Sequence, residues 1–299
     1  STWQGERRKH CRQGGEAARG GQERMNTPLQ EIISAHQDTF NALLKELEGD
    51  LHRSVVCKGE LRDVWLVRFC IGFDWKVPAV AEKFRNMLSF RERYKVDDIR
   101  KRYEEGMQPS DIPGYKVHHD AYMCTFLLHT GQARDRSPVN LEQTCKFKFA
   151  DLAAIPEDIA DQYIIHNLEY HSFVLDKAYL ESKCLKGYVK MMDLQGAHMS
   201  QVSWVSKWAS NSKHRKVRLE VDIMECYPEL FSKVFVIHSP MFFSVVWKII
   251  KPFIPARTCD KVKVESSSSK SKVLCCDSVD PSLLPKEFGG DYTGQWMMK

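Results

Sequence analysis

An α/β domain with a largely parallel sheet, preceded by a helical bundle, is the architecture this sequence predicts, and three observations carry that reading. Residues 28–103 follow helical spacing throughout. Strand-like runs then alternate with helical ones as far as residue 265. The two regimes meet at a breaker, "QPSDIPGY". A chain of 299 residues buries one large core, or a core plus a smaller helical module.

Each element has its reason. "PLQEIISAHQDTFNALLKELEGD" places Ile32, Ile33, His36, Phe40, Leu43, Leu44 and Leu47 at three- and four-residue intervals, with Gly49 as the stop. "ELRDVWLVRFCIGFDW" and "VPAVAEKFRNMLSFRERYKV" follow as amphipathic helices, the second with Pro78 in its first turn, and "VDDIRKRYEEG" adds a short one. Beyond the breaker, "AYMCTFLLHT" and "SPVNLE" read as strands around a turn, and "PEDIADQYIIHNLEYHSFVLDKAYLES" as a long helix. "GYVKMMDLQG" reads as a strand, 200–210 and 213–227 as helices, "KVFVIH" and "CDKVKVES" as strands, and "SSSSKSK" at 266–272 as a polar loop open to phosphorylation.

Hydrophobic content of 43% and charged content of 28% are those of an ordinary globular protein. The net charge is +5, and residues 1–24 hold six Arg/Lys against three Glu, so the remaining chain is nearly balanced. That distribution argues against a nucleic-acid footprint on the fold. The stretch "STWQGERRKHCRQGGEAARGGQER" is expected to be a disordered basic tail ahead of a start at Met25. It lacks the apolar run of a secretory signal. Cysteines 11, 57, 70, 124, 145, 184, 226, 259, 275 and 276 are scattered without a Cys-x-x-Cys pair. They read as small buried hydrophobes rather than as disulfides or a metal site. His118 and His119 are neighbours that on a strand would point to opposite faces, and the histidines do not cluster at ligand spacing, so no metal is expected.

The segment "YPELFSKVFVIHSPMFFSVVWKIIKPF" at 227–253 is the unusual one. Only fourteen uncharged residues separate Lys233 from Lys248, whereas a membrane-spanning helix needs about 20 apolar residues. Between Met241 and Ile250 eight of ten residues are apolar, and the exceptions Ser244 and Lys248 form one thin stripe that Lys251 extends. A helix packed on a core needs only one apolar face. This helix is therefore either fully buried or a lid, with one face on an apolar cavity and the other on a membrane surface.

"VWLVRFCIGFDWKVPAVAEKFRNMLSFRERY", "VKMMDLQG", "YPELFSKVFVIHSPMFFSVVWKIIKPFI" and "LLPKEFGGD", in this order from about Leu61 to Asp291, resemble the CRAL-TRIO lipid-binding family. Within it they are most similar to the Sec-fourteen-like phosphatidylinositol transfer proteins. After the disordered tail that composition predicts at 1–24, the resemblance implies an N-terminal helical module at 28–105, a CRAL-TRIO domain at 106–291 and a C-terminal tail at 292–299. In that family the sheet floors an apolar lipid pocket and the helix after the "YPE" strand is its gate, here with Phe242, Phe243, Val246, Trp247 and Ile250. Enclosure has a physical motive: at ~0.8 kcal/mol per CH₂, two chains of ~16 carbons exposed to water cost on the order of 25 kcal/mol.

The resemblance also implies a headgroup site. Glu229 matches the glutamate after Tyr-Pro, and Thr258 and Lys261 match the threonine and lysine that follow the gate. A hydroxyl and an ammonium hold phosphate oxygens, while a carboxylate accepts from lysine or inositol hydroxyls. The alternative is a surface Glu–Lys pair of little worth. The chain departs from the family at Phe73 and Asp74, where a basic pair is usual, and at Tyr188 and Lys190, which replace a serine and a threonine; the long-helix tyrosine persists as Tyr170. Alternation puts Tyr188, Lys190, Met192 and Leu194 on one strand face, Val234, Val236 and His238 on one face of the next, and Val262 and Val264 on one face of the last. An ammonium on an apolar wall is costly unless paired. Lys190 therefore meets a lipid phosphate or carboxylate, pairs with a carboxylate such as Glu142, or lies one residue out of the inferred register. His238 is read either as a pocket residue or as a satisfied core histidine.

No Gly-x-Ser-x-Gly elbow and no phosphate-cradling loop appears, and the family is not catalytic, so no enzyme and no cofactor are expected. The expectation is a monomeric, cytoplasmic, peripherally membrane-associated carrier of one phospholipid, phosphatidylinositol or a related phosphoinositide. A lipid-sensing adaptor that recruits a protein partner, or a carrier of an isoprenoid- or sterol-like ligand, stands as the alternative.

Overall fold

The computed structural model describes residues 25–121, 124–203, 205–206, 223–254 and 256–293. The expected basic tail, residues 294–299 and most of the helices expected at 200–210 and 213–227 lie outside the described residues.

Residues 29–104 fold as a helical module: α1 Leu29–Ser34, α2 Gln37–Glu46, α3 Gly59–Gly72, α4 Val77–Arg93 and α5 Val96–Glu104. The single helix expected from Pro28 breaks into α1 and α2 at Ala35–His36, where the His36 ring stacks on Trp75 at 3.9 Å. The sequence suggests that α3 is amphipathic; instead every residue from Val64 to Ile71 is buried. The cause is its place between α1, α4 and the long helix of the second half. Surrounded on all sides, it has no solvent face to make polar.

Helices α6 Tyr115–Ala121, α7 Phe149–Ala154 and α8 Glu157–Ser182 follow the breaker. His118 and His119 thus lie on a helix rather than a strand; His118 Nδ1 is 2.9 Å from Gly114 O, and its ring stacks on Tyr163 at 3.9 Å. At 26 residues α8 is about 39 Å long, enough to run the depth of the domain. Its buried residues join those of the N-terminal module in one core.

The sheet has five strands in sequence order: β1 Cys124–Gln132, β2 Pro138–Gln143, β3 Tyr188–Asp193, β4 Phe231–Ile237 and β5 Val262–Val264. Strand β1 pairs antiparallel with β2, and every later pair is parallel. Val139, Leu141, Val189, Met191, Phe235 and Ile237 share one face, and Cys275, Val279, Leu284 and Phe288 close over it. The helix bearing Cys275, the last of the three that complete the described chain (α9 Phe243–Ile250, α10 Ala256–Asp260 and α11 Ser268–Ser278), begins within the serine run expected to be a loop. Serine is a poor helix former, but docking overrides propensity here. Ser271 and Cys275, one turn apart, are both fully buried, and Ser271 Oγ accepts from the His238 backbone N–H at 3.3 Å. Among the described residues no helix is long and apolar enough to cross a membrane.

Candidate functional site

The sheet face opposite α11 carries the residues that alternation selects. Across the strands, Asn140 pairs with Lys190, Lys190 with Val234 and Val234 with Val262; the next row is Glu142, Met192, Val236 and Val264. Side chains at these registered positions point the same way. Helix α9 lies over part of this face. Phe243, Val246 and Trp247, spaced i, i+3, i+4, pack with Leu194, Val236, Met192 and Val262, and the Phe243 and Trp247 rings stack at 6.2 Å. Phe242 and Ile250 are half-buried. The far side of α9 stays open, with Val245 46% exposed, and Met241 in the turn before the helix is 99% exposed. The helix is therefore packed on one side only, with Val245 exposed beside the polar Ser244 and Lys248 on the other, which sets aside the buried-core reading.

His238 departs from the expected face. Its φ of +50° breaks the alternation after β4, and its Nδ1 lies 2.7 Å from Asp193 Oδ1, a residue that alternation assigns to the opposite face of β3. A charged partner at the strand end, together with the turn, takes this histidine away from Val234 and Val236. At the β5 edge, Val264 is 49% exposed and Val262 half-buried.

The ammonium of Lys190 is paired within the protein. Its Nζ lies 2.5 Å from the buried Glu142 carboxylate and 6.0 Å from the Phe231 ring centre, and Thr144 Oγ1 donates to Glu142 at 2.9 Å. Burial, assisted by the Lys190 charge, lowers the pKa of His171 to about 3. Tyr188 is buried and donates to the His171 carbonyl at 3.3 Å. Tyr170, also buried, meets the Tyr103 ring of the N-terminal module at 5.1 Å, and burial pushes its phenol up to about 12.

Glu229 and Lys261 come together although 32 residues apart: Lys261 Nζ donates to Glu229 Oε2 and to the Phe231 carbonyl, both at 2.7 Å. Their side chains are 5% and 8% exposed, so this is a buried pair rather than a surface one. Glu229 has φ of +59°, a left-handed kink that ends the Tyr-Pro-Glu turn. That turn is pressed on α3, because a Cβ on Gly72 would sit 2.8 Å from Pro228 Cβ. Thr258 lies in α10, and its carbonyl accepts from the Lys261 N–H at 3.1 Å.

Sequence reasoning missed a buried charge network behind this turn. Arg91 makes a two-pronged bond to Glu169 at 2.8 and 3.2 Å, and Tyr227 donates to the same carboxylate at 2.9 Å. Arg100 donates to Asp176 at 2.8 Å, as does the Trp65 indole at 3.0 Å. Arg68 is 2% exposed, with Nη2 at 3.9 Å from Asp176 Oδ1; burial pulls its pKa down, and Glu229 is among the carboxylates acting on it. The available signal was Glu169 and Asp176, seven apart and so on one face of a helix otherwise rich in apolar residues. The expected headgroup residues therefore back onto the junction between the two halves.

Residues 156–290 match the sequence model of the CRAL/TRIO domain. The chain is 25% identical over 251 residues to the SEC14 cytosolic factor of Yarrowia lipolytica, covering 81% of this chain and 46% of that protein. It is 23% identical over 236 residues to the phosphatidylinositol/phosphatidylcholine transfer protein SFH11 of Arabidopsis thaliana, covering 76% and 57%. It thus spans about half the length of these two relatives. The crystal structure of Sfh5 superposes with a TM-score of 0.52 at 14% identity, covering 82% of this chain and 83% of that one, and shows the same fold. From the ordered motifs, the sheet and the matched segment together, residues 156–290 carry a CRAL/TRIO domain, and the chain as a whole is similar to the Sec14-like proteins.

Proposed function

We propose that the chain binds one phospholipid, phosphatidylinositol or a phosphoinositide, between the β2–β5 face and α9, and exchanges it at membrane surfaces. The observation that carries this reading is α9 itself, a helix with six apolar residues of eight that packs by one side on a sheet face of apolar residues and leaves Val245 open on the other. Such a helix costs free energy in water unless its open side meets something oily for part of the working cycle. The plant relative is named a phosphatidylinositol/phosphatidylcholine transfer protein, which supports the same class of cargo.

Glu229 and Lys261 are assigned to the anionic headgroup, with Thr258 beside them. Lys190, already neutralised by Glu142, is assigned to the pocket wall together with Tyr188, Met192, Leu194, Val234, Val236 and Val262. This reading needs no cofactor and no catalytic step, and places the monomer in the cytosol, touching membranes transiently. Native mass spectrometry of the purified protein, followed by lipid extraction, tests it. The expected result is one phosphatidylinositol per chain; a chain carrying only an isoprenoid or a sterol overturns the headgroup assignment. Liposome exchange at substoichiometric protein separates a carrier from an adaptor that only binds.

A further inference from the structure

The outer side of α9 ends in a feature the cargo reading does not use. An open cleft of about 550 Å³ lies where the last turn of α9 meets the turn at Lys251–Phe253 and α10. Trp247, Pro252, Ile254 and Ala256 supply much of its apolar lining, and Lys248, Lys251 and Cys259 complete it. The volume lies within the range of small-ligand sites. Lys248 and Lys251 are exposed, and among the described residues neither forms an ion pair. Burial raises the Cys259 thiol pKa, and the nearby Lys251 charge opposes that rise.

Two further observations point outward. Val245 and Lys248, three apart on α9, lie on its open side, with exposed Met241 in the turn before the helix and Pro252 in the turn after it, so exposed apolar surface leads to the two ammonium groups. From Ser239 to Cys259 the sequence holds Lys248, Lys251 and Arg257 and no acidic residue. Asp74 neutralises Arg257, so the two lysines are the charges left for an external anion. Apolar lining with a pair of ammonium groups beside it suits a molecule whose anionic group joins directly to an apolar body.

We propose that this cleft is a second lipid site, which takes the phosphate and glycerol end of one anionic phospholipid that stays in the bilayer while Met241 and Val245 enter the interface. The occupant differs from the cargo: it is read from outside and never leaves the membrane. The proposal rests on the reading that α9 works at a membrane, and the cargo is measured separately, so failure here leaves the extracted lipid unchanged.

The test compares flotation with vesicles of phosphatidylcholine alone and of phosphatidylcholine mixed with phosphatidylserine. Wild-type protein should float with the mixed vesicles. At about tenfold per 1.4 kcal/mol and about 1 kcal/mol per lysine near an anionic surface, Lys248→Gln with Lys251→Gln should bind roughly 30-fold more weakly. Both side chains are exposed, so the melting temperature should hold. Dihexanoyl phosphatidylserine below its micelle concentration should change tryptophan emission saturably, and Trp247→Phe should abolish that change. Equal flotation with neutral vesicles overturns the proposal. So does lysine-dependent flotation without a saturable short-chain signal, which makes the attraction diffuse, or an equal signal from inorganic phosphate, which makes the cleft a free-anion site.

Discussion

The pair Lys261–Glu229 joins the turn before β4 to the residue that leads into β5, and its burial fixes what substitution should do. Removing one member of a buried ion pair leaves the other charge without compensation, typically at about 3–5 kcal/mol. Lys261→Ala should therefore lower stability by about that much in urea denaturation. Glu229→Gln with Lys261→Met should recover most of the stability while phosphatidylinositol transfer between liposomes stays lost. Recovery of transfer in the double variant would remove both residues from the headgroup site. Two histidines set an acid limb. Burial holds the pKa of His171 near about 3 and that of His166 near about 4, against 6.5 in the unfolded chain. Below pH 6.5 the unfolded state takes up these protons and the folded state does not, so stability falls progressively toward pH 4 and below. His166→Phe with His171→Phe should flatten that limb in melting curves taken across this window; an unchanged slope would assign it to other groups.

Helix α9 divides its residues by direction. Phe243 is 8% exposed and packs on Val236 and Leu194, whereas Met241 is 99% exposed. Phe243→Ala should cost about 3 kcal/mol, as deletion of a packed aromatic ring does. Met241→Ser should change stability by no more than about 0.5 kcal/mol, as at other exposed positions. Thermal melts of the two variants check this directly, and equal losses would mean that α9 is held from both sides. The serine-started α11 shows the reverse relation between sequence and environment: two small side chains, Ser271 and Cys275, are enough to seat a weak helix because both are fully buried against the sheet.

At the scale of the molecule, the N-terminal module and the CRAL/TRIO domain share one core and one buried charge network. Arg91 and Arg100 belong to the module, Glu169 and Asp176 to α8, and each side presents charges the other must neutralise. A fragment beginning at residue 106 would expose both carboxylates and the apolar face around Tyr170, and should fail to give a cooperative melt. Arg91→Met in the full chain, which leaves Glu169 partly unpaired, should destabilise by about 3–5 kcal/mol in urea; a loss below about 1 kcal/mol would show the network to be dispensable. The same junction ties down the segment after α9, through Asp74 with Arg257 and through the Tyr-Pro-Glu turn on Gly72.

What the sequence determined by itself was periodic. A repeat of two assigned Lys190, Met192, Val234 and Val236 to one sheet face, and a missing polar face marked α9 as unusual, because these properties follow from backbone geometry within a few residues. Spacing also offered Glu229, Thr258 and Lys261 as a group, but only by likeness to a family motif. Tertiary structure decided which charges meet. Glu142 lies 48 residues from Lys190, and Glu169 lies 78 from Arg91. It decided that His238 turns to Asp193, that α3 is enclosed on all sides, and that a serine run becomes a helix. Each of these outcomes depends on neighbours brought close in space. Desolvation and charge pairing are set by those neighbours, and a local pattern holds no record of them.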